Sequence, residues 1–267
     1  MYHLLALLNL ISPKDRGSRR VARNVPYGPH RRQALDIYAP TSAGGPWPVI
    51  YFVYGGSWDV GSRSYYGFVG RALAAMGFVV VIIDYRLIPE VEYPVFIDDC
   101  TDGLVWVLDH IADYGGDPRR VALMGHSAGA YNAVMVLLQA RQLPARGIAG
   151  SIRAFAGLSG PYDFYPFDVA VSIRAFGAVA DPKSTQPIHL VRPDLPPMFL
   201  ATGEADTVVL PRNTVALASR LQAAGVSVVE RHYPGIGHAG LLLALGVLNR
   251  RKAPILSDVT SFLHAHL

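Results

Sequence analysis

The sequence predicts an α/β fold in which helices cover both faces of a mostly parallel central sheet. Short runs of β-branched and aromatic residues alternate along the chain with longer segments of helical spacing, and this alternation is typical of parallel sheets. The run at residues 78–85 is almost wholly apolar, as central strands are when helices bury them on both sides.

The predicted elements follow one another in a regular order. We expect strands at residues 33–38, 48–54, 78–85, 120–124, 152–156, 198–201 and 226–232. We expect helices at residues 65–76, 94–111, 130–143, 211–224 and 255–266. Gly77 directly follows the first of these helices, and glycine is common there because it tolerates the left-handed conformation. Residues 161–197 interrupt the alternation with prolines and aromatic side chains, so we expect them to form a small cap over the carboxyl edge of the sheet.

The length of the chain indicates one domain. We expect its 267 residues to form a single unit, residues 1–267, with the cap-like insertion at about 161–197. A chain this long can bury a large core without disulfides or metal ions. Its one cysteine, Cys100, cannot form an intramolecular disulfide, which fits a reducing compartment. We therefore expect a cytoplasmic protein in which Cys100 is a buried helical residue.

The composition argues against a membrane span and against nucleic-acid binding. Although 51% of the residues are hydrophobic, no stretch reaches the roughly 18 apolar residues of a spanning helix, so we expect a soluble protein. The apolar residues 1–8 lack the basic start and the cleavage site of a signal peptide, and we expect a helix packed on the domain. The net charge is +4, and arginines gather near the amino end at Arg16, Arg19, Arg20, Arg23, Arg31 and Arg32. No nucleic-acid-reading module accompanies them, so we expect a solvated surface.

A candidate nucleophile lies between a predicted strand and a predicted helix. The sequence Gly125-His126-Ser127-Ala128-Gly129 matches the G-x-S-x-G nucleophile elbow, and its strand-to-helix context is the one this motif requires. The glycines allow a tight turn that exposes the serine oxygen at a helix amino end, where free N–H groups stabilise negative charge. Ser127 is therefore the predicted nucleophile.

A nucleophilic serine needs a base, and the base needs a carboxylate to orient it. With this elbow the chain order is serine, acid, histidine. His238 lies in the glycine-rich residues 235–240, after the last predicted strand, and we expect a flexible loop that brings it to Ser127. His232 lies within that strand and is expected to be structural. Asp206 follows the strand at residues 198–201 and is preferred as the acid over its rival Glu204.

A third feature predicts an oxyanion hole. The sequence Tyr54-Gly55-Gly56-Ser57-Trp58 follows a predicted strand, in the position of the glycine-rich loop that supplies oxyanion donors. Glycine lets the backbone approach closely. We expect the N–H groups of Gly56, Ser57 and Ala128 to hold the oxyanion.

These motifs together resemble those of a known family. The three sequences above, with Asp84-Tyr85-Arg86-Leu87-Ile88-Pro89-Glu90 and Gly115-Gly116-Asp117-Pro118, are similar to those of bacterial carboxylesterases related to hormone-sensitive lipase and the acetyl/feruloyl esterases. The resemblance implies the α/β-hydrolase fold, and hydrolysis of short-acyl or aryl esters with no cofactor and no metal. It also implies a triad of Ser127, Asp206 and His238. Tyr54 stands where the family usually has histidine, and Ser57 where glycine or alanine is common, which leaves the identity of the donor pair open.

The resulting hypothesis is a serine carboxylesterase that acts on a small-molecule ester through an acyl-enzyme. We expect Trp58, Tyr162 and Phe164 to contact the substrate, although packing of the cap explains the two cap aromatics equally well. An arylformamidase-like amidase with the same triad is an alternative, as is a non-catalytic binding protein of the same fold. The natural substrate and the oligomeric state stay open.

Overall fold

The computed structural model describes residues 9, 12–139 and 148–267. Its strands are β1 (Ser18–Pro26), β2 (Ala34–Pro40), β3 (Trp47–Val53), β4 (Val79–Ile83), β5 (Gly116–His126), β6 (Ile152–Leu158), β7 (Met198–Gly203) and β8 (Val228–Tyr233). Its described α-helices are α1 (Gly67–Ala75), α2 (Val95–His110), α3 (Ala128–Gln139), α4 (Ile148–Ser151), α5 (Ala170–Phe176), α6 (Arg212–Ala223), α7 (His238–Leu243) and α8 (Ile255–His266).

The described strands form one sheet in the order β1-β2-β4-β3-β5-β6-β7-β8. The strands from β4 to β8 in this order pair in parallel, while β1 and β2 are antiparallel to their neighbours. Helices α1 and α8 pack on one face, and α2, α3 and α6 pack on the other. The predicted fold class, a mostly parallel sheet covered on both sides, is therefore confirmed.

The central strands explain why the sheet is stable. All five residues of β4 are fully buried, and residues 48–53 of β3 are buried as well. Burying one Val or Ile side chain contributes about 1.5–3 kcal/mol. The β-branched runs at residues 48–54 and 78–85 therefore anchor the core, and their carboxyl ends deliver the loops of the candidate site to one edge.

Most predicted elements match the structure within a few residues. The strand predicted at residues 120–124 is longer, because β5 also pairs Gly116 with Trp47 of β3. Helix α1 begins later than predicted, because a short 3₁₀ turn capped by Ser62 comes before it. Helix α3 begins at Ala128, and the predicted part beyond residue 139 lies outside the described residues, as does the helix predicted at residues 1–8.

Strand β1 was not predicted. It is an irregular edge strand whose register with β2 shifts between Arg20 and Ala22, and again between Ala22 and Val25. These shifts break the period-two alternation by which a strand is detected in a sequence. The arginines before and along it are exposed, as expected, but Arg32 is half-buried and bonds to interior groups. The prediction of a solvated surface is wrong for that residue.

The predicted cap segment contains α5 and two 3₁₀ turns. Two of its aromatic side chains, Phe164 and Phe176, pack on Trp58 with ring centroids 6.1 and 4.9 Å away. Cys100 is buried in α2, as predicted. Within the described ranges, no helix combines the length and the apolar character needed to cross a membrane.

Candidate active site

Ser127 occupies a strained turn between β5 and α3. Its φ angle is +56°, a left-handed conformation that residues other than glycine rarely adopt. The flanking glycines are required by sterics, because a Cβ at Gly125 would lie 2.4 Å from the carbonyl oxygen of Gly129. A Cβ at Gly129 would lie 2.1 Å from the carbonyl oxygen of Val53. The elbow therefore fits directly against the end of β3.

The structure brings the three predicted triad residues together. His238 Nε2 lies 2.9 Å from Ser127 Oγ, and His238 Nδ1 lies 2.8 Å from Asp206 Oδ2. When Nδ1–H donates to the carboxylate, Nε2 is left to accept the serine hydroxyl proton. The exposed fractions are 8% for Ser127, 8% for His238 and 2% for Asp206, so the chain of hydrogen bonds is largely shielded from water.

Asp206 is held as an ionised acceptor. Its Oδ1 accepts hydrogen bonds from the amides of Val208 and Val209, both at 2.9 Å. Burial opposes ionisation, but the hydrogen bond and charge of His238 and the amide of Val209 lower the pKa below its ordinary value. The rival Glu204 is exposed and makes no hydrogen bond to His238 in the described structure. Asp206 is therefore the carboxylate that orients the imidazole.

His238 is the first residue of α7, with Gly237 in extended conformation before it. Residues 235–237 form a connection outside regular structure, as predicted, whereas residues 238–240 were predicted in the same loop but begin a helix. The carbonyl oxygen of His238 accepts a hydrogen bond from His126 Nε2 at 3.1 Å. This contact joins the backbone of His238 to the elbow. His238 is therefore held through its backbone by His126 and through its ring by Asp206.

His126 is a residue that the sequence reasoning missed, because the elbow motif leaves its position open. The imidazole is buried, with its ring centroid 4.8 Å from that of His238. Burial, and then repulsion from the charge of His238, lowers the pKa of His126 to about 3. His126 is therefore neutral near pH 7 and donates its Nε2–H to the carbonyl of His238.

The predicted oxyanion loop runs against the nucleophile. A Cβ at Gly55 would lie 2.8 Å from the Cβ of Ser127, so only glycine fits there. Ser57 and Trp58 both have positive φ angles, of 51° and 59°. Ser57 and Ala128 line the same cavity as Ser127. The amide of Ala128 belongs to the first turn of α3, where amides lack an intrahelical acceptor.

Gly56 lies further back in this loop. It is absent from the described lining of the cavity, and its carbonyl oxygen accepts hydrogen bonds from the amides of Asp59 and Val60, both at 3.1 Å. Its φ angle of 142° is one that favours glycine. Of the three predicted donors, the structure thus brings Ser57 and Ala128 to the cavity wall and gives Gly56 a turn-forming position.

Tyr54 explains how the loop is supported without the usual histidine. Its ring stacks between those of Tyr66 and Tyr85, each at a centroid distance of 5.1 Å. The Tyr85 hydroxyl donates to the Tyr54 carbonyl oxygen at 3.0 Å. Arg32 Nη2 donates to the Tyr54 hydroxyl at 2.7 Å and to the Gly61 carbonyl oxygen at 3.0 Å. Tyr85 therefore braces the loop through both its ring and its hydroxyl group.

Trp58 anchors the far end of the loop. Its indole N–H donates to Asn132 Oδ1 at 2.9 Å, and its ring meets Tyr131 and Phe176 edge-on at 5.4 and 4.9 Å. The residue is only 4% exposed. The backbone conformations of Ser57 and Trp58 each cost about 1–3 kcal/mol. The contacts of the Trp58 side chain offset this cost and hold both residues in place.

A cavity of about 360 Å³ opens beside Ser127. Its described lining is Ser57, Trp58, Ser127, Ala128, Pro161, Phe164, Asp168, Val169, Val171, Ser172, Thr207, Val208, Val209, Leu210, Arg212 and Asn213. Trp58 and Phe164 thus lie on its wall, as predicted for substrate contacts. Tyr162 does not, because its side chain is fully buried against Gly157 and Gly160, and that prediction is not supported. In the described ranges, no three His, Cys, Asp or Glu side chains are grouped as metal ligands.

Comparison with known proteins finds one matching family model and several esterase relatives. The BD-FAE family model matches residues 35–221. The isoprenylcysteine alpha-carbonyl methylesterase ICME of Arabidopsis thaliana is 31% identical over 93% of this chain and 63% of that protein. The carboxylesterase NlhH of Mycobacterium tuberculosis is 32% identical over 80% of this chain and 72% of that protein. The chain thus spans less than two thirds of the length of the plant methylesterase.

Solved structures match over almost the whole chain. Esterase B from Lactobacillus rhamnosis has a TM-score of 0.86 at 19% identity, covering 98% of this chain and 92% of that one. A bacterial heroin esterase has a TM-score of 0.79 at 24% identity, covering 98% and 90%. These likenesses establish the α/β-hydrolase fold.

Because the elbow lies in close contact with β3, we predict that Gly129→Ala strongly lowers the stability of the protein. The added Cβ would meet the Val53 carbonyl oxygen, so we expect the free energy of unfolding to fall by about 3 kcal/mol or more. Denaturant titration measures this change. Gly150→Ala is the control, since a Cβ there meets nothing within 4 Å, and we expect a change within about 0.5 kcal/mol. Equal stability of the two variants would contradict the steric argument.

The low pKa of His126 predicts an acid-sensitive fold. An unfolded histidine has a pKa near 6.5, whereas folded His126 has a pKa of about 3. As the pH falls from about 6.5 towards about 3, the unfolded chain binds a proton at this histidine before the folded chain does. The free energy of unfolding therefore decreases over this pH range. We expect wild type to lose roughly 3 kcal/mol more than His126→Gln between pH 7 and pH 4. Denaturant titrations across pH check this, with exposed His110→Gln as the control. Parallel profiles for wild type and His126→Gln would show the prediction to be wrong.

Proposed function

Because the chain belongs to the BD-FAE family, we propose that it is a serine carboxylesterase that hydrolyses short-acyl or aryl carboxylic esters. The observation that carries this proposal is the hydrogen-bonded chain of Ser127, His238 and Asp206 beside an open cavity. The esterase names of the curated relatives support the reaction class.

The proposed reaction has two acyl-transfer steps. Ser127 Oγ attacks the ester carbonyl carbon while His238 Nε2 takes the hydroxyl proton. The carbon–oxygen bond to the alcohol then breaks, and the alcohol leaves with that proton. Water attacks the acyl-serine by the same route, giving its proton to Nε2, and Ser127 recovers the proton as the acid is released. Asp206 keeps the imidazole in the required tautomer and stabilises its positive charge.

The oxyanion is proposed to form between the loop at residues 55–58 and the start of α3. The amides of Ser57 and Ala128 are the favoured donors, because both residues line the cavity with Ser127. Gly56 is the remaining candidate from the sequence. Donors already aimed at the developing charge lower the barrier because they need no reorganisation during the reaction.

The lining of the cavity supports an apolar acyl or aryl group. Trp58 and Phe164 form an aromatic part, with ring centroids 6.1 Å apart. The lining also contains aliphatic residues, among them Val169, Val208 and Leu210. Volumes of about 300–1,000 Å³ are usual for small-molecule pockets, and 360 Å³ lies at the lower end of that range. A small acyl or aryl ester is the substrate class that fits this volume.

Loss of the nucleophile gives the first test. We expect Ser127→Ala to lower hydrolysis of p-nitrophenyl acetate by on the order of 10⁴-fold or more, since no other group supplies the attacking oxygen. Ester hydrolysis is followed for acyl groups of increasing length, with a formanilide and a carboxylic methyl ester assayed in parallel. Ser257→Ala, an exposed serine on α8, is the matched control.

The outcomes separate the alternatives. Ester turnover that survives Ser127→Ala would overturn the assignment of the nucleophile. Activity restricted to the formanilide would move the protein to the amidase class. No turnover of any substrate by wild type would favour a binding protein of the same fold.

The anchor at Trp58 gives a second test. Trp58→Phe keeps an aromatic ring but removes the indole donor, and Asn132→Leu removes the acceptor. Because the lost hydrogen bond loosens the oxyanion loop, we expect each variant to lower kcat about tenfold with little change in KM. The double variant should be no slower than either single one, since both remove the same interaction. An effect on KM alone would assign Trp58 only to the wall of the cavity.

A further inference from the structure

A second cavity lies at the amino end of α1, outside the lining of the candidate active site. It measures about 200 Å³, far above the roughly 10–15 Å³ that one water molecule needs. Its described lining is Asn9, Lys14, Arg20, Tyr38, Gly67 and Arg71. Three of these six residues are cations, and none is an anion.

The positive charge of this cavity is only partly balanced. Arg20 Nη1 lies 3.5 Å from Asp36 Oδ2, but Asp36 also accepts a hydrogen bond from Arg63 Nε at 2.9 Å. Lys14 and Arg71 form no ion pair with a carboxylate in the described part of the chain. Asp15, which follows Lys14 directly, is paired with an arginine elsewhere, at position 250, at 2.9 Å.

The two unpaired cations interact unfavourably. Lys14 is partly desolvated, which lowers its pKa from the ordinary value, and the charges of Arg71 and Arg20 lower the pKa further. The Nε of Arg71 is buried and has no hydrogen-bond partner among the described residues. A buried charged donor without a partner is costly, so this cavity would gain stability from a bound anion.

The remaining sequence supplies no carboxylate for this position. Residues 1–8, 10, 11 and 140–147 contain neither aspartate nor glutamate. Within the printed sequence, these residues therefore supply no carboxylate counter-charge for Lys14 and Arg71.

Two further features beside the cations favour an anion, the positive end of a helix dipole and a hydroxyl group. The cavity reaches the amino end of α1, a helix of nine residues, and such ends favour negative charge. The Tyr38 hydroxyl reaches this end, since a Cβ at Gly67 would lie 3.2 Å from its oxygen. Asn9 Oδ1 accepts from the amide of Phe68 at 2.9 Å and so joins the segment carrying Lys14 to the helix.

We propose that the cavity lined by Lys14, Arg20, Tyr38 and Arg71 binds a phosphate group. Two arginines, a lysine and a hydroxyl can donate to several oxygens at once, and a tetrahedral dianion matches this set better than a single carboxylate does. The group can come from free phosphate or from the headgroup of an anionic phospholipid. The proposal is independent of the esterase activity.

Titration with inorganic phosphate tests the site on the full chain. At constant ionic strength, we expect phosphate to raise the melting temperature of wild type saturably, since a ligand of the folded state stabilises it, and chloride to have no such effect. Arg71→Gln should weaken the apparent phosphate affinity at least about tenfold. Lys14→Gln is the second variant, because Lys14 is exposed and its loss should leave folding intact.

The control is Arg220→Gln. Arg220 is exposed and lies on α6, a helix that packs at the opposite edge of the sheet. This variant should bind phosphate like wild type. Equal phosphate responses of Arg71→Gln, Lys14→Gln and Arg220→Gln would overturn the proposal, as would the absence of binding to both phosphate and vesicles.

Sedimentation with vesicles distinguishes the two sources of the phosphate group. Phosphatidylcholine vesicles are compared with and without phosphatidic acid. Binding that requires phosphatidic acid and is lost in Arg71→Gln would assign a lipid headgroup. A phosphate response without vesicle binding would assign a free anion. Vesicle binding that Arg71→Gln leaves unchanged, without a phosphate response, would contradict the site.

Discussion

The arrangement of the candidate active site depends on the contact between the elbow and the end of β3. Gly129 lies so close to the carbonyl oxygens of Val53 and Tyr54 that only a hydrogen fits between them. This contact fixes the distance between the serine turn on β5 and the loop that leaves β3. Since β3 and β5 are neighbouring parallel strands, the nucleophile and the proposed oxyanion donors lie side by side at the same edge of the sheet.

A second constraint is electrostatic. The candidate triad lies mostly out of water, so each polar atom needs a protein partner. Asp206 accepts hydrogen bonds from two backbone amides and from the imidazole of His238. His126 donates a hydrogen bond to the backbone carbonyl of His238. The ionised aspartate and the neutral second histidine are thus both consequences of burial combined with local hydrogen bonds.

The alternation of strands and helices and the juxtaposition of Ser127, Asp206 and His238 could be predicted from the sequence, because loops at the carboxyl ends of parallel strands meet at one edge. Their catalytic roles stay proposals. Features that depend on tertiary contacts could not be predicted: Arg32 reads as one more surface arginine, yet its guanidinium bonds to Tyr54. Tyr162 reads as a cap aromatic, but glycines at 157 and 160 create an interior space for its ring. Strand β1 escapes detection because its register shifts remove the alternation.

The position of Trp58 has a consequence for the evolution and engineering of substrate range. This residue is at once part of the cavity wall and the anchor of a strained loop. Substitutions at position 58 would therefore change specificity and turnover together, whereas Phe164, whose ring stacks beside that of Trp58, contacts the cavity without belonging to the loop. Variation in the acyl pocket among descendants of this protein should accordingly accumulate on the cap side and leave the tryptophan unchanged. In this fold, a residue that can vary thus lies beside one that cannot on the same cavity wall.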